Sequence, residues 1–197
     1  MNFNKPIFQD FEFDAIYHIT SRVKEGQVAF RDARDYQYFL GQMKEFVLPI
    51  ADVYVYSLTP KKFQFLMCIK SKNQVCKSIG LDEDSDYHLE KQNQIILGQF
   101  EMILENYTSY FRQNTNEKTV VFGKFLQRIQ IDDEKDLKNI VKMIHCEPVS
   151  LGLVAEPEDW KYSSYQSYLS KNKSSSVDRG FILSFFDSDE DFKQFHQ

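Results

Sequence analysis

The stretch VYVYSLTPKKFQFLMCI, residues 53–69, decides the fold class. It contains two apolar runs, 53–58 and 63–69, that are rich in the aromatic and β-branched residues typical of strands. The Thr59-Pro60-Lys61 segment between them favours a tight connection, because proline presets the backbone angle that a turn requires. The stretch therefore predicts an antiparallel β-hairpin.

Further strands are predicted on both sides of this hairpin. Residues 13–20 alternate apolar and polar side chains, which indicates a strand with one buried face. Residues 120–122 and 129–131 are also strand-like. Together with the hairpin, these segments supply the strands of a sheet.

Three helices carry apolar stripes at spacings of three and four residues. The first is opened by Asp32 or Asp35 and runs to Pro49, and the longest covers about residues 89–112. A third begins after Asp132 and Asp133 and is expected to end at Pro148. The order strand–helix–strand–strand–helix–strand–helix predicts an α+β domain, a ferredoxin-like antiparallel sheet with helices packed on one face.

Composition and charge limit the class of protein. Of the 197 residues, 42% are apolar and 27% are charged, which is a globular balance. No apolar run approaches a membrane span and the N-terminus lacks the pattern of a signal peptide, so a cytoplasmic location is expected. The net charge of −5 argues against a strongly basic nucleic-acid binder but not against a local basic surface. Cys68, Cys76 and Cys146 lack paired spacing and are expected to be reduced thiols.

Five blocks of sequence, in the same order along the chain, resemble the single-tyrosine HUH transposases related to REP-associated tyrosine transposases. The blocks are Tyr17-His18-Ile19-Thr20-Ser21-Arg22; Ala29-Phe30-Arg31-Asp32 with Asp35-Tyr36-Gln37-Tyr38-Phe39-Leu40; Asn106-Tyr107-Thr108-Ser109-Tyr110-Phe111; Ile144-His145-Cys146-Glu147-Pro148-Val149 with Gly152-Leu153-Val154; and Glu156-Pro157-Glu158-Asp159-Trp160-Lys161-Tyr162-Ser163-Ser164-Tyr165. The resemblance covers roughly residues 13–169. It implies an HUH transposase-like domain at 8–170, followed by a divergent acidic C-terminal tail at 171–197.

The resemblance also implies a chemistry. In this family two histidines on one strand face hold a divalent metal, Mg²⁺ or Mn²⁺, which polarises a DNA phosphate. A tyrosine on a helix attacks the phosphorus and becomes linked to DNA, and an amide one helical turn later helps to hold the metal. DNA transposition is the function that follows.

This chain departs from the family at each of those positions. Lys62 and Gln64 stand in place of the two histidines, Met143 in place of the tyrosine, and Glu147 in place of the amide. An ammonium has no lone pair for a metal, and a thioether cannot replace a phenol as nucleophile. We therefore expect a degenerate HUH motif with no catalytic residues, no metal site and no cofactor, as in a pseudoenzyme. Because a cation and an anion appear together, we also expect Lys62 and Glu147 to form an ion pair.

Nucleic-acid binding does not need the metal, since phosphates are contacted by Lys, Arg and backbone donors. If the family geometry holds, single-stranded or hairpin DNA would meet these residues: Arg22, Lys61, Lys62, Arg112, Lys124 and Arg128. Two alternatives stay open, a protein-interaction module that keeps only the scaffold and an active transposase with a rebuilt site. The resemblance further implies a homodimer as a candidate assembly. Five lysines without an acid between them form a lysine-rich face, and an acidic tail over this face would be autoinhibitory; they are Lys61, Lys62, Lys70, Lys72 and Lys77.

Other residues are weaker candidates. Tyr107 lies on the apolar stripe of the long helix, so we expect a core aromatic rather than a relocated nucleophile. His18, His145 and Glu147 are a minor candidate for a metal cluster. His88 and His196 lie in polar or terminal contexts from which nothing is predicted.

Overall fold

A four-stranded antiparallel sheet forms the centre of the molecule. The computed structural model describes residues 8–81, 89–115, 121–123, 126–170 and 176–197. The sheet has the order β2-β3-β1-β4, and its strands are β1 (Ile16–Arg22), β2 (Ala51–Thr59), β3 (Lys62–Ile69) and β4 (Gln127–Gln130). β2 and β3 are the predicted hairpin, with Thr59 opposite Lys62.

Seven α-helices lie in the described part of the chain. They are α1 (Ala33–Gln42), α2 (Lys72–Ile79), α3 (Leu89–Thr115), α4 (Glu134–Ser150), α5 (Tyr165–Leu169), α6 (Arg179–Leu183) and α7 (Asp189–His196). A π-helical turn over Met43–Val47 extends α1. Asp32 caps α1 by accepting from the backbone N–H groups of Arg34 and Asp35. None of these helices is long and apolar enough to cross a membrane.

The helices cover both faces of the sheet, not one as predicted. Phe63 of β3 contacts Phe39 of α1 on the first face, where Tyr107 of α3 also meets Phe39. Lys62 and Gln64, which alternate with Phe63, point to the opposite face and contact α4. The α+β class is confirmed, and the sheet is buried between two helical layers.

Two local predictions are wrong. Val121 and Phe122 belong to no strand, and both are buried. Phe122 packs against Phe63 of β3 and Tyr107 of α3. Pro148 does not end α4, which continues to Ser150. A proline this close to the helix end removes only one backbone hydrogen bond, and the N–H of Leu151 still bonds to the carbonyl of Glu147. Residue 120 lies outside the described residues.

The described part of the C-terminal tail, residues 176–197, packs on the domain. The backbone N–H of Asp178 donates to the carbonyl of Val53 at 2.8 Å, and Phe181 stacks on Tyr54. Phe192 of α7 is buried against Tyr168 of α5. The domain boundary at 170/171 stays a prediction, but the tail is folded onto β2, α4 and α5.

Candidate functional site

A polar network lies between β3 and α4. Lys62 and Gln64 are two residues apart on β3, so both side chains leave the same face of the sheet. Lys62 Nζ donates to Glu147 Oε1 at 2.7 Å, and Gln64 Nε2 donates to Glu147 Oε2 at 2.8 Å. The predicted ion pair between Lys62 and Glu147 is therefore confirmed.

His18 of β1 completes this network. Its Nε2 lies 3.2 Å from Gln64 Oε1. Because the carboxylate of Glu147 can only accept, the amide of Gln64 must turn its NH₂ to Glu147 and its oxygen to His18. His18 therefore carries its proton on Nε2, and all hydrogen bonds of the network point towards Glu147.

Burial sets the charge of the network. The His18 side chain is buried, and this desolvation lowers the pKa of His18 to about 4, although its hydrogen bond to Gln64 acts in the opposite direction. The positive charge of Lys62 lowers it further. At neutral pH the network thus consists of a neutral imidazole, a neutral amide and one ion pair. Both oxygens of Glu147 are occupied by protein donors.

Met143 lies one turn before Glu147 on α4 and is 37% exposed. A thioether in this position has no proton to lose and attacks no phosphorus. Lys62, Gln64, Met143 and Glu147 therefore place an ammonium, an amide, a thioether and a carboxylate within one small region of the β3–α4 interface.

The predicted nucleic-acid-binding residues lie in three different places. Arg22 pairs with Lys62 in the β1–β3 register and is exposed, and Lys61 is exposed in the adjacent hairpin turn. Arg112 is exposed near the end of α3, in the helical layer on the other face of the sheet. Lys124 lies outside the described residues. The structure thus brings Arg22, Lys61 and Lys62 together at one end of the sheet.

Arg128 is enclosed by the N-terminal segment. It is 7% exposed, and its guanidinium lies over the ring of Phe11. Its Nε donates to the carbonyl of Gln9, and its Nη2 lies 3.8 Å from the carboxylate of Asp10. Burial lowers the pKa of Arg128 from its usual value. This arginine stabilises the packing of residues 9–11 and presents little charge to a ligand.

A second polar network, which the sequence did not predict, lies on the other side of α4. His145 Nδ1 is 3.0 Å from His196 Nε2, and His145 Nε2 is 2.9 Å from Ser164 Oγ. Both histidines are buried. The sequence signal was the spacing of Phe192 and His196, four residues apart, which puts both on one side of α7.

Those remaining candidate residues from the sequence that the structure describes lie in different parts of it and form no common site. Tyr107 is fully buried and donates its hydroxyl to the carbonyl of Ala29 at 2.8 Å, so the expectation of a core tyrosine is confirmed. His145 faces the tail while His18 joins Glu147 through Gln64. Within the described ranges, no three His, Cys, Asp or Glu side chains are grouped as metal ligands. His88 lies outside those ranges, and the three cysteines are free thiols.

The fold is similar to that of a REP-associated tyrosine transposase. That enzyme was solved bound to a REP hairpin, and the two structures superpose with a TM-score of 0.61 over 87% of this chain and 89% of the other. Their sequences are 12% identical, so the likeness is one of fold. No protein-family model and no curated protein matches the sequence.

In the described part of the chain, the tail does not contact the end of the sheet that carries Arg22, Lys61 and Lys62, which we call the basic end of the sheet. The tail meets Val53 and Tyr54 near the start of β2, whereas Lys62 pairs with Thr59 at its end. These contacts lie at the opposite end of β2 from Lys62, so they do not support a tail that covers Lys61 and Lys62.

Proposed function

We propose that this protein binds single-stranded or hairpin DNA through the basic end of its sheet and does not carry out strand transfer. The observation that carries the proposal is the network of Lys62, Gln64 and Glu147, which fills the positions aligned with the family chemistry. The similar fold of a transposase solved on a DNA hairpin supports the choice of ligand.

The basic end of the sheet is defined by Arg22, Lys61 and Lys62. Arg22 and Lys62 lie opposite each other on neighbouring strands, and Lys61 precedes Lys62 in the turn. Lys62 retains 26% side-chain exposure although it is paired. Three cations at this end of the sheet can contact successive phosphates even on a chain whose net charge is −5.

The same residues argue against metal-dependent chemistry. The ammonium of Lys62 has only donors, and the amide oxygen of Gln64 accepts from His18. Glu147 accepts from Lys62 and from the NH₂ of Gln64. A divalent ion would have to displace the Lys62 ammonium to reach the carboxylate. Met143, which stands in place of the tyrosine, supplies no nucleophile. The residues therefore do not fit the Mg²⁺ or Mn²⁺ that the family uses.

The test is one binding and cleavage experiment. Labelled DNA hairpins are incubated with the protein, with and without Mg²⁺ or Mn²⁺, at two salt concentrations. We expect a complex that weakens steeply with salt, no cleavage and no covalent adduct. A metal-dependent adduct would overturn the proposed inactivity and favour a rebuilt active site. Absence of binding to several hairpins would overturn DNA binding and favour a protein partner.

A matched pair of variants locates the surface. Lys61→Ala removes a cation from the basic end, whereas Lys135→Ala removes one from the exposed first turn of α4. We expect Lys61→Ala to weaken hairpin binding about threefold to tenfold and to reduce the salt slope by about 0.7–0.9, the contribution of one phosphate contact. Lys135→Ala should leave both quantities unchanged. Equal losses in the two variants would contradict a local site.

A further inference from the structure

A continuous chain of hydrogen bonds joins α7 to β2, the edge strand of the sheet. His196 Nδ1 lies 2.8 Å from the carbonyl of Phe192, one turn earlier on α7. His196 and His145 are joined at 3.0 Å, and His145 and Ser164 at 2.9 Å. The backbone N–H of Tyr56 on β2 donates to Ser164 Oγ at 2.9 Å. The chain thus crosses α7, α4 and β2.

The ends of this chain fix the position of each proton when both rings are neutral, the state that burial favours by lowering the pKa of each histidine. A carbonyl only accepts, so a neutral His196 must hold its proton on Nδ1 and present a bare Nε2 to His145. His145 therefore donates from Nδ1, and its bare Nε2 accepts from the hydroxyl of Ser164. Each ring is neutral, and each nitrogen has one partner.

We propose that residues 176–197 form an acid-releasable strap, which this pair of neutral histidines holds on the domain at neutral pH. The tail covers α4 and β2 while both imidazoles are neutral. When the pH falls, the two histidines can both be protonated only after the tail detaches, so acid shifts the equilibrium towards the detached state. This device is independent of DNA binding.

Proton counting gives the reason. One added proton can be placed on His145 Nε2, because the Ser164 hydroxyl can turn to the carbonyl of Tyr56 at 3.3 Å. A second proton, on His196 Nε2, would point two N–H donors at each other across 3.0 Å. The docked state therefore holds at most one extra proton, and that proton lies in a buried site. In the detached state both His145 on α4 and His196 on the tail can be protonated, so that state holds two.

The surroundings favour the neutral pair. Desolvation lowers the pKa of His145 well below its usual value, and the nearby His196 adds to this. Desolvation lowers the pKa of His196 to about 4, and the charge of Lys142 on α4 acts in the same direction. Every element that packs against the two histidines carries other titratable groups. They are Cys146 on α4, Tyr165 and Tyr168 on α5, Lys193 on α7, and Glu156 and Glu158 at the start of the 3-10 turn that precedes α5. The two glutamates line the cleft beside His196 together with Lys142 and Lys193, so that opposite charges balance there.

Hydrogen exchange of the full chain tests the proposal. Peptides from 176–197 and from β3 are compared at pH 7 and pH 5, after correction for intrinsic exchange rates. If both histidines titrate near pH 6.5 only when detached, the ratio of detached to docked tail rises about 600-fold between these pH values. Tail peptides that keep their protection, or that open only together with β3, would overturn the strap.

Two variants separate the histidines from other acid effects. His196→Asn leaves one titrating partner, so the same pH change should shift the ratio only about 25-fold, whatever the docking strength at pH 7. His18→Gln removes a buried histidine from the other network and should leave the tail response unchanged. A shift as large in His196→Asn as in the unmodified chain would contradict the proposal. So would ¹⁵N NMR shifts that show a cationic His145 or His196 at pH 7.

Discussion

Replacing Lys62 by Met removes the ammonium that donates to Glu147 at 2.7 Å, while the methionine keeps most of the apolar stem. The side chains of Lys62 and Glu147 are 26% and 16% exposed, so this pair lies between a surface pair and a buried one. Exposed pairs couple by about 0.2–1 kcal/mol, and breaking fully buried pairs costs about 3–5 kcal/mol. We expect Lys62→Met to destabilise the protein by about 2 kcal/mol, because Glu147 keeps only the donor from Gln64.

A double-mutant cycle isolates the pair from these side effects. Lys62→Met, Glu147→Gln and the double variant are compared by equilibrium urea unfolding at pH 7. The coupling free energy should be about 1–2 kcal/mol, above the range of exposed pairs. Lys138 and Glu134 on α4 provide the matched control, with an N–O distance of 2.9 Å but exposures of 29% and 59%. Their coupling should be only about 0.3–0.5 kcal/mol.

Equal couplings in the two cycles would refute this reasoning. Such a result would mean that the position of Lys62 and Glu147 between β3 and α4 adds nothing to their attraction. The network could then not be regarded as a stabilising connection between β3 and α4.

The remaining predictions concern charge, pH and the core. Glu147→Gln removes the anion beside Lys62 and should strengthen hairpin binding about fivefold, as expected for about 1 kcal/mol between unit charges near 4 Å in water; equal affinity by fluorescence anisotropy would place the DNA elsewhere. The pKa of His18 is about 4 in the folded protein and near 6.5 in the unfolded chain. The neutral ring therefore contributes its full share of the unfolding free energy above pH 6.5, and this contribution decreases as the pH falls towards 4. His18→Gln should therefore reduce the loss of unfolding free energy between pH 7 and pH 5 by about 2 kcal/mol, and an unchanged loss in urea titrations would contradict a buried neutral ring. Tyr107→Phe leaves the carbonyl of Ala29 without its 2.8 Å donor and should cost about 1–2 kcal/mol in thermal or urea unfolding; a neutral effect would mean that water replaces the hydroxyl.

The elements with strong local periodicity were predictable from sequence. The long helix α3 begins at the predicted residue and ends three residues later than expected, and β4 covers most of the predicted segment. Such stripes arise because one face of each element is buried. α2 was missed since only Val75 and Cys76 of its eight residues are buried, which leaves a pattern too short to recognise.

The two networks differ in how far they could be predicted. Lys62 and Glu147 were expected to meet because a family resemblance placed both at one site, and opposite charges at aligned positions favour each other. The link from His18 depends on the register between β1 and β3, which no local pattern specifies. The pairing of His145 with His196 depends on where the tail docks. Tertiary packing alone determines that position, and the only local signal is the four-residue spacing of Phe192 and His196.

The two networks hold α4 from opposite sides. His145 and Glu147 are two residues apart, so their side chains leave the helix about 200° from each other. Glu147 is fixed to β3 by Lys62 and Gln64, and His145 is fixed to β2 and the tail by Ser164 and His196. Rotation of α4 about its axis would break both sets of hydrogen bonds at once. The helix that carries Met143 is therefore held in one orientation by two polar anchors, neither of which requires a metal ion.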